Sequence, residues 1–275
     1  MSEVAVITGT THGIGRVTAR ELAQAGRTVV MLCRDLALAS ETQREIERVV
    51  PGAQVHAIHC NLSSFASVRA AAAEVRERFA TLHVLINNAG IVSLIRRMSP
   101  DGFELTFLTN HLGPFLLTQL LLDRIDAQSG RIVNVSSRLH YKGRLDLESV
   151  TNPKARYAGT RAYAQSKLAN VLYTLALARR LEHTGIAVNC LHPGVVTTNL
   201  LPRWLQILRP LIGRGMIDPE RGARTSLYLA LAPEMRGVKG RYFDEHQKEK
   251  TPAPIATDRE VQERLWQRCA EWTGL

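Results

Sequence analysis

Tyr163 and Lys167 stand four residues apart in the stretch "AYAQSKLANVLYTLALARRLE". Its run of alanines, leucines and long polar side chains favours a helix, so the two side chains share one helix face. An isolated tyrosine has a pKa of about 10 and exchanges its proton poorly near neutrality. An adjacent ammonium stabilises the phenolate, and a fall of about two to three units needs roughly 3–4 kcal/mol of differential interaction. Such a tyrosine can protonate a carbonyl oxygen and take the proton back in the reverse direction. A Tyr-x-x-x-Lys pair alone is also an ordinary structural pair, so its meaning depends on what accompanies it. Tyr157 lies nearby but has no lysine four residues on.

A second stretch with chemical potential is "ITGTTHGIG", Ile7–Gly15. It follows the apolar run "VAVI" and precedes the helical pattern "GRVTARELAQA". Gly9 can turn the chain out of a strand, Gly13 lets backbone approach a ligand, and Gly15 lets the helix pack closely. The free N–H groups and positive dipole end of the helix then face an anion such as a pyrophosphate. Glycines also simply end strands, but here a second strand, "TVVMLC" (28–33), closes a βαβ unit of about 30 residues.

The elements around these residues alternate. Strands are expected at 4–8, 28–33, 53–59, 83–87, 131–136, 186–191 and 240–243, with helical patterns between them. The strands are nearly continuous in apolar residues, as when both faces of a sheet are covered. Strict β/α alternation predicts an α/β, Rossmann-type, doubly wound sheet, mostly parallel and seven-stranded, with helices on both faces. No linker, repeat or low-complexity tract interrupts it, so residues 1–275 read as one dinucleotide-binding domain.

The bulk composition narrows the function. Lys and Arg number 35 against 25 Asp and Glu, a formal net charge of +10. The arginines are spread along the chain and are not interleaved with aromatics, which disfavours nucleic-acid binding as the main role. The scattered cysteines Cys33, Cys60, Cys190 and Cys269 fit a reducing compartment. "HAIHC" (56–60) reads as a strand running into a turn, and no metal is expected. "VAVI" is too short for a signal peptide or membrane span, and no other apolar stretch looks long enough to cross a bilayer; a cytoplasmic protein is expected.

The spacing T-G-x-x-x-G-I-G, followed in order by "NNAG" (87–90), "NHLGPFLLT" (110–118), "RIVNVSS" (131–137), "YAQSK" (163–167) and "HPGVV" (192–196), resembles the short-chain dehydrogenase/reductase superfamily. "CRD" (33–35), "AYAQSKLANVL" and the terminal "ERLW" resemble its retinol-dehydrogenase-like branch. The resemblance covers essentially the whole chain and implies hydride transfer between a nicotinamide cofactor and a carbonyl or alcohol carbon. It implies that Tyr163 is the proton donor, that Lys167 also bonds the nicotinamide ribose, and that Ser137 orients the substrate oxygen. Ser136 is then the competing serine, which supports the strand end. Asn110 matches the asparagine that holds a relay water near Lys167; its other reading is a helix-interior Asn bonded to backbone.

Further cofactor contacts follow from the same resemblance. The phosphate cradle comprises Gly9, Thr11, His12, Gly13, Ile14 and Gly15. Asn88, Ala89 and Gly90 pass along the adenine-side ribose, while Asn87 braces the sheet. Asn61, with Leu62 beside it, stands where the family usually carries an aspartate facing the adenine amino group, and its amide oxygen can accept that bond. Pro193 and Gly194 fix a turn, Val196 offers backbone to the nicotinamide amide, and Thr198 reaches the diphosphate.

NAD-specific members end the second strand with an acid that binds the ribose 2′-hydroxyl. Here Cys33 takes that position and Arg34 follows. Arg34 can pair with a 2′-phosphate in a charge-assisted bond of about 1.5–3 kcal/mol, roughly a ten- to hundredfold preference. Asp35 is placed to start the next helix. NADP(H) is therefore expected over NAD(H).

The segment at about 199–218 breaks the α/β rhythm with Leu201, Trp204, Leu205, Leu208, Leu211 and Ile212. By resemblance it forms a lid, and an apolar lid suggests an apolar aldehyde, ketone or alcohol as substrate. Arg203, Arg209 and Arg214 also permit a membrane-surface helix, and a core or subunit contact is the plainer alternative. Leu265, Trp266 and Cys269 mark an amphipathic tail helix that packs on the domain or on a partner subunit, and a homo-oligomer is expected. The rival to an NADP(H)-dependent oxidoreductase is a nonenzymatic NADP(H) sensor or scaffold on the same fold.

Overall fold

The computed structural model describes residues 2–194 and 217–275. Val196, Thr198 and nearly all of the expected lid lie outside the described residues. Among those described, the strands are β1 (Val4–Thr8), β2 (Thr28–Cys33), β3 (Val55–His59), β4 (Val84–Asn87), β5 (Arg131–Val135), β6 (Ala187–Leu191), β7 (Arg241–Phe243) and β8 (Glu249–Lys250). They form one sheet in the order β3-β2-β1-β4-β5-β6-β7-β8. All neighbours pair parallel except β7 and β8. The seven strands read from the sequence are present with ends within two residues, and the sheet gains an eighth. Both β8 residues are charged and exposed, so no apolar alternation announces them.

Periodicity two sorts the strand side chains between two cores. Val6, Val30, Leu85, Ile132 and Val188 face one side. There they meet α3 (Phe65–Arg78), α5 (Gly113–Leu121) and α7 (Gly159–Arg180). Ala5, Ile7, Val29, Ile86 and Val133 face the other. Their partners are α1 (Gly13–Gln24), α2 (Leu36–Val49) and α8 (Pro219–Leu231). Each fully buried Val, Leu or Ile contributes roughly 1.5–3 kcal/mol. The short α4 (Leu105–Phe107) runs through a π-helical turn at Leu108–Leu112 into α5, and α6 (Glu148–Thr151) precedes α7. The helical run Leu105–Arg124 is long and apolar enough to span a bilayer by length and composition, contrary to the sequence reading. It is mostly buried, and its leucines are core residues of the layer under α7.

α9 (Arg259–Thr273) is the tail helix, capped by Asp258, which accepts from Glu260 N and Val261 N. Leu265 and Cys269 are buried, and Trp266 stacks on Tyr173 of α7 with ring centroids 5.6 Å apart. The Arg180 guanidinium lies 3.8 Å from the Trp266 ring centre, a cation–π contact. The tail thus closes over the outer side of α5 and α7.

Candidate active site

The loops that leave β1, β4, β5 and β6 meet at the carboxyl end of the sheet. β1 is flanked by β2 on one side and β4 on the other, so the chain reverses its direction of travel there, where open α/β sheets bind ligands. Thr8 ties the first two loops together: its hydroxyl accepts from Asn88 N and Ala89 N, each at 3.0 Å. The Asn88 amide donates to Thr8 O (2.9 Å) and Gly9 O (3.1 Å). Its side chain is thereby committed to bracing the glycine loop, so a ribose contact from Asn88 would come from its backbone. Asn87 does brace the sheet, donating to Thr118 Oγ1 (2.9 Å) and Asn134 Oδ1 (2.8 Å).

The glycine loop is shaped for close approach. Gly9 and Gly13 both have positive φ, 72° and 54°. A Cβ on Gly15 would drive into the Gly9 carbonyl oxygen and the Asn88 amide. Gly15 thus closes the loop on itself more than it packs helix on sheet. His12 precedes α1 with no side-chain cap, and no acid sits in the first turn. Its ring instead meets the Thr11 hydroxyl at 3.0 Å. The helix therefore presents N–H groups and its positive end with no side-chain cap from His12 and no acid in its first turn to offset them; Ile14 is buried within that turn.

At the end of β2, Cys33 is buried and its thiol meets Thr10 Oγ1 at 2.9 Å. Burial pushes the thiol pKa up, so the position is uncharged at neutral pH. Arg34 is exposed and makes no ion pair among the described residues, while Asp35 caps α2 through Ala37 N (3.0 Å) and Leu38 N (3.1 Å). Asn61 departs from expectation: its Oδ1 accepts from Ser63 N (3.1 Å) and Ser63 Oγ (2.7 Å), an Asx turn that uses the oxygen meant for adenine. Leu62 is buried, its carbonyl pressed against Gly113 at the start of α5.

α7 carries Tyr163 and Lys167 on its inner face. Lys167 is 3% exposed, and its Nζ donates to Val135 O at 2.9 Å. It lies 5.6 Å from the Tyr163 ring centre. The Ser137 hydroxyl faces the Tyr163 phenol and draws its pKa down, against a larger upward push from burial. Burial also lowers Lys167 to about 8. Burial thus holds the phenol above its ordinary value, where the sequence reading expected a fall. Desolvation disfavours both charged forms. Ser136 is buried and donates to Lys167 O at 2.7 Å, so of the two serines Ser137 is the one at the phenol. Tyr157 points away, donating to Ser93 O at 2.9 Å and Glu104 Oε1 at 3.2 Å.

Asn110 lies in the π-helical turn and is buried. Its Oδ1 accepts from Ile91 N (2.7 Å), and its Nδ2 donates to Ile91 O (2.9 Å) and Ser166 Oγ (3.0 Å). The side chain braces the loop after β4 against α7. Gly90 lies against this pair: a Cβ there would sit in ordinary contact, 3.4 Å from Lys167 Nζ and 3.5 Å from Asn110 Oδ1. Pro193 and Gly194 form the turn after β6, with Gly194 at φ 83°.

Sequence reasoning missed Thr8, Ser166 and Asn170. Asn170 accepts from His111 Nδ1 at 3.0 Å and approaches Val135 O, the same carbonyl that holds Lys167. Its spacing of three from Lys167 was the available signal. A groove of about 820 Å³ lined by Ala72, Leu120, Ile125 and Leu181 lies at the opposite, amino end of the sheet and contains none of these groups.

The residues present fit a nicotinamide dinucleotide. The cradle has no room for side chains, the helix end is uncapped, and the buried Lys167 ammonium has three donors of which one carbonyl takes one. A match to the short chain dehydrogenase family model spans residues 3–206. The chain belongs to that family, in its retinol-dehydrogenase-like branch, and is an oxidoreductase that moves hydride between a nicotinamide cofactor and an alcohol or carbonyl group. Human retinol dehydrogenase 13 is 41% identical over 280 residues, covering 98% of this chain and 84% of that protein. A solved structure from Mycobacterium paratuberculosis superposes with a TM-score of 0.79 at 34% identity, covering 99% of this chain and 93% of that one. Actinorhodin polyketide ketoreductase with NADPH gives 0.69 at 26% identity, covering 88% and 95%.

Proposed function

We propose that this protein is an NADP(H)-dependent oxidoreductase of apolar aldehydes, ketones or the corresponding alcohols. The observation that carries the reaction is the Ser137 hydroxyl facing the Tyr163 phenol, with Lys167 buried beside them. Arg34, exposed and in no ion pair among the described residues, next to an uncharged Cys33, supports the 2′-phosphate-bearing cofactor. The names of the retinol dehydrogenase relatives favour an apolar substrate.

The nicotinamide, when bound, supplies or accepts the hydride at the reacting carbon. Ser137 Oγ donates a hydrogen bond to the substrate oxygen and orients it toward Tyr163. In reduction the Tyr163 hydroxyl gives its proton to that oxygen, and in oxidation the phenolate takes it back. The raised Tyr163 pKa keeps the phenol protonated at neutral pH, which suits the reducing direction. Lys167 holds positive charge next to the phenol and carries donors for a ribose hydroxyl. Asn110 keeps the Ile91 backbone fixed beside Lys167 through its three side-chain hydrogen bonds.

NADPH oxidation against a panel of apolar aldehydes and ketones, including all-trans-retinal, with NADH in parallel, tests this reading. Turnover with NADPH and little with NADH is expected. Tyr163→Phe should cost about 10²–10⁴ in kcat and leave the NADPH dissociation constant unchanged; full activity in that variant would sink the assignment. A cytoplasmic homo-oligomer belongs to the same proposal, and sedimentation velocity checks the assembly.

A further inference from the structure

Among the described residues, His192 closes β6 and precedes the Pro193–Gly194 turn. Its imidazole is buried and uses both nitrogens. Nδ1 accepts from Gly194 N at 3.2 Å, and Nε2 meets Glu245 Oε2 at 3.0 Å. A single form of the ring satisfies both: neutral, with the proton on Nε2 donated to the carboxylate. Glu245 lies just beyond β7, in the turn toward β8. Asp244 shapes that turn by accepting from His246 N (2.8 Å) and Lys248 N (3.0 Å). Asp244 O accepts from Thr225 Oγ1 of α8 at 2.9 Å, and Lys250 pairs with the Asp244 carboxylate at 3.3 Å. The backbone repeats the link, with His192 N donating to Phe243 O at 2.9 Å.

From this we infer that His192 and Glu245 form a clamp that sets the Pro193–Gly194 turn for the nicotinamide end of the cofactor, and that the β7–β8 hairpin is thereby part of the cofactor site. The inference rests on the dinucleotide reading above. Gly194 has φ 83°, a conformation that other residues avoid. A Cβ there would meet Ile217 Cδ1 at 2.8 Å and Glu245 Cβ at 3.3 Å, so the turn is seated directly against the hairpin. A turn of this kind needs an acceptor for its N–H, and the imidazole of the residue just before the turn provides one. Glu245 fixes which nitrogen is the acceptor. His192 and Glu245 act through the turn and are positioning residues. Glu245 also lies outside residues 3–206, the part that matches the family model.

The groups that act on the imidazole are Glu245, Asp244, Arg138 and His246, with His140 and the Tyr242 ring (centroid 5.9 Å away) packed beside it. Burial, helped by the Arg138 and His246 charges, lowers the His192 pKa against the pull of the two acids, which keeps Nδ1 free to accept near neutrality.

The test compares NADPH with 2′-phospho-ADP-ribose, which lacks only the nicotinamide ring, by fluorescence and calorimetric titration of the full chain. His192→Ala should weaken NADPH about tenfold, the worth of a lost hydrogen bond, and leave 2′-phospho-ADP-ribose within about twofold. In His192→Asn the amide oxygen can stand in for Nδ1, so NADPH affinity should recover to within about threefold of wild type. His192→Gln should not recover it, and Glu245→Ala should itself weaken NADPH while leaving 2′-phospho-ADP-ribose within about twofold. Equal losses for both ligands, or no loss in His192→Ala, would overturn the clamp. If the alanine variant does not fold, the asparagine and glutamine variants decide between the same outcomes. Wild-type protein that binds neither NADPH nor NADH would instead overturn the cofactor reading itself.

Discussion

Lys167 is held at Val135 O with its pKa lowered to about 8, below the ordinary 10.5, because the ammonium is desolvated. As pH rises through about 8 the folded protein loses this charge, so kcat/KM for reduction should be flat below that point and fall above it. Folding stability should move the opposite way, rising from about pH 8 to 10.5, where the unfolded chain still holds the proton and the folded one does not. A pH–rate profile that stays level to pH 10 would remove Lys167 from the reaction. Arg34 makes a separate prediction: Arg34→Ala should cut the NADPH-over-NADH preference in kcat/KM by roughly ten- to hundredfold, with NADH turnover intact. Helix spacing made Tyr163 and Lys167 legible as a pair, and the resemblance carried by the whole motif set gave their roles and singled out Ser137 from Ser136. The commitments of Asn61, Asn88 and Asn110 were not, since a side-chain amide bonds whatever the loops bring within 3 Å. The direction of the Tyr163 shift was likewise hidden, because it is set by burial and not by the spacing of the pair.

The first βα turn is the element on which cofactor binding depends. Gly15→Ala should abolish NADPH binding, because the new methyl group collides with the Gly9 carbonyl and opens the loop. Calorimetry with a thermal melt separates this from unfolding, since the cores around α1 are untouched. The tail helix carries a different prediction. Trp266→Ala removes a ring packed on Phe115 and Tyr173 and covered by Arg180. It should cost about 3 kcal/mol of stability, read as a lower denaturant midpoint, while the NADPH constant stays unchanged. Helices and buried strands were visible in the sequence as apolar periodicity. The π-helical turn was not, because it rests on one extra residue per turn, and β8 was not, because two exposed charged residues carry no periodicity at all.

For the whole molecule, the alternation of strands and helices was enough to specify a doubly wound sheet, and the cover that α9 lays over α5 and α7 became apparent only in three dimensions. The strand order has a consequence for how such a chain is made. β1, synthesised first, ends in the interior of the sheet. β2 and then β3 add outward on one side of it; β4, β5, β6, β7 and β8 add outward in turn on the other. Every strand therefore joins an edge that is already waiting, and none has to wedge itself between two neighbours that have paired. A ribosome releasing this chain from its amino end can grow the sheet in the order of translation, each new strand pairing with one of the two free edges of the sheet already formed.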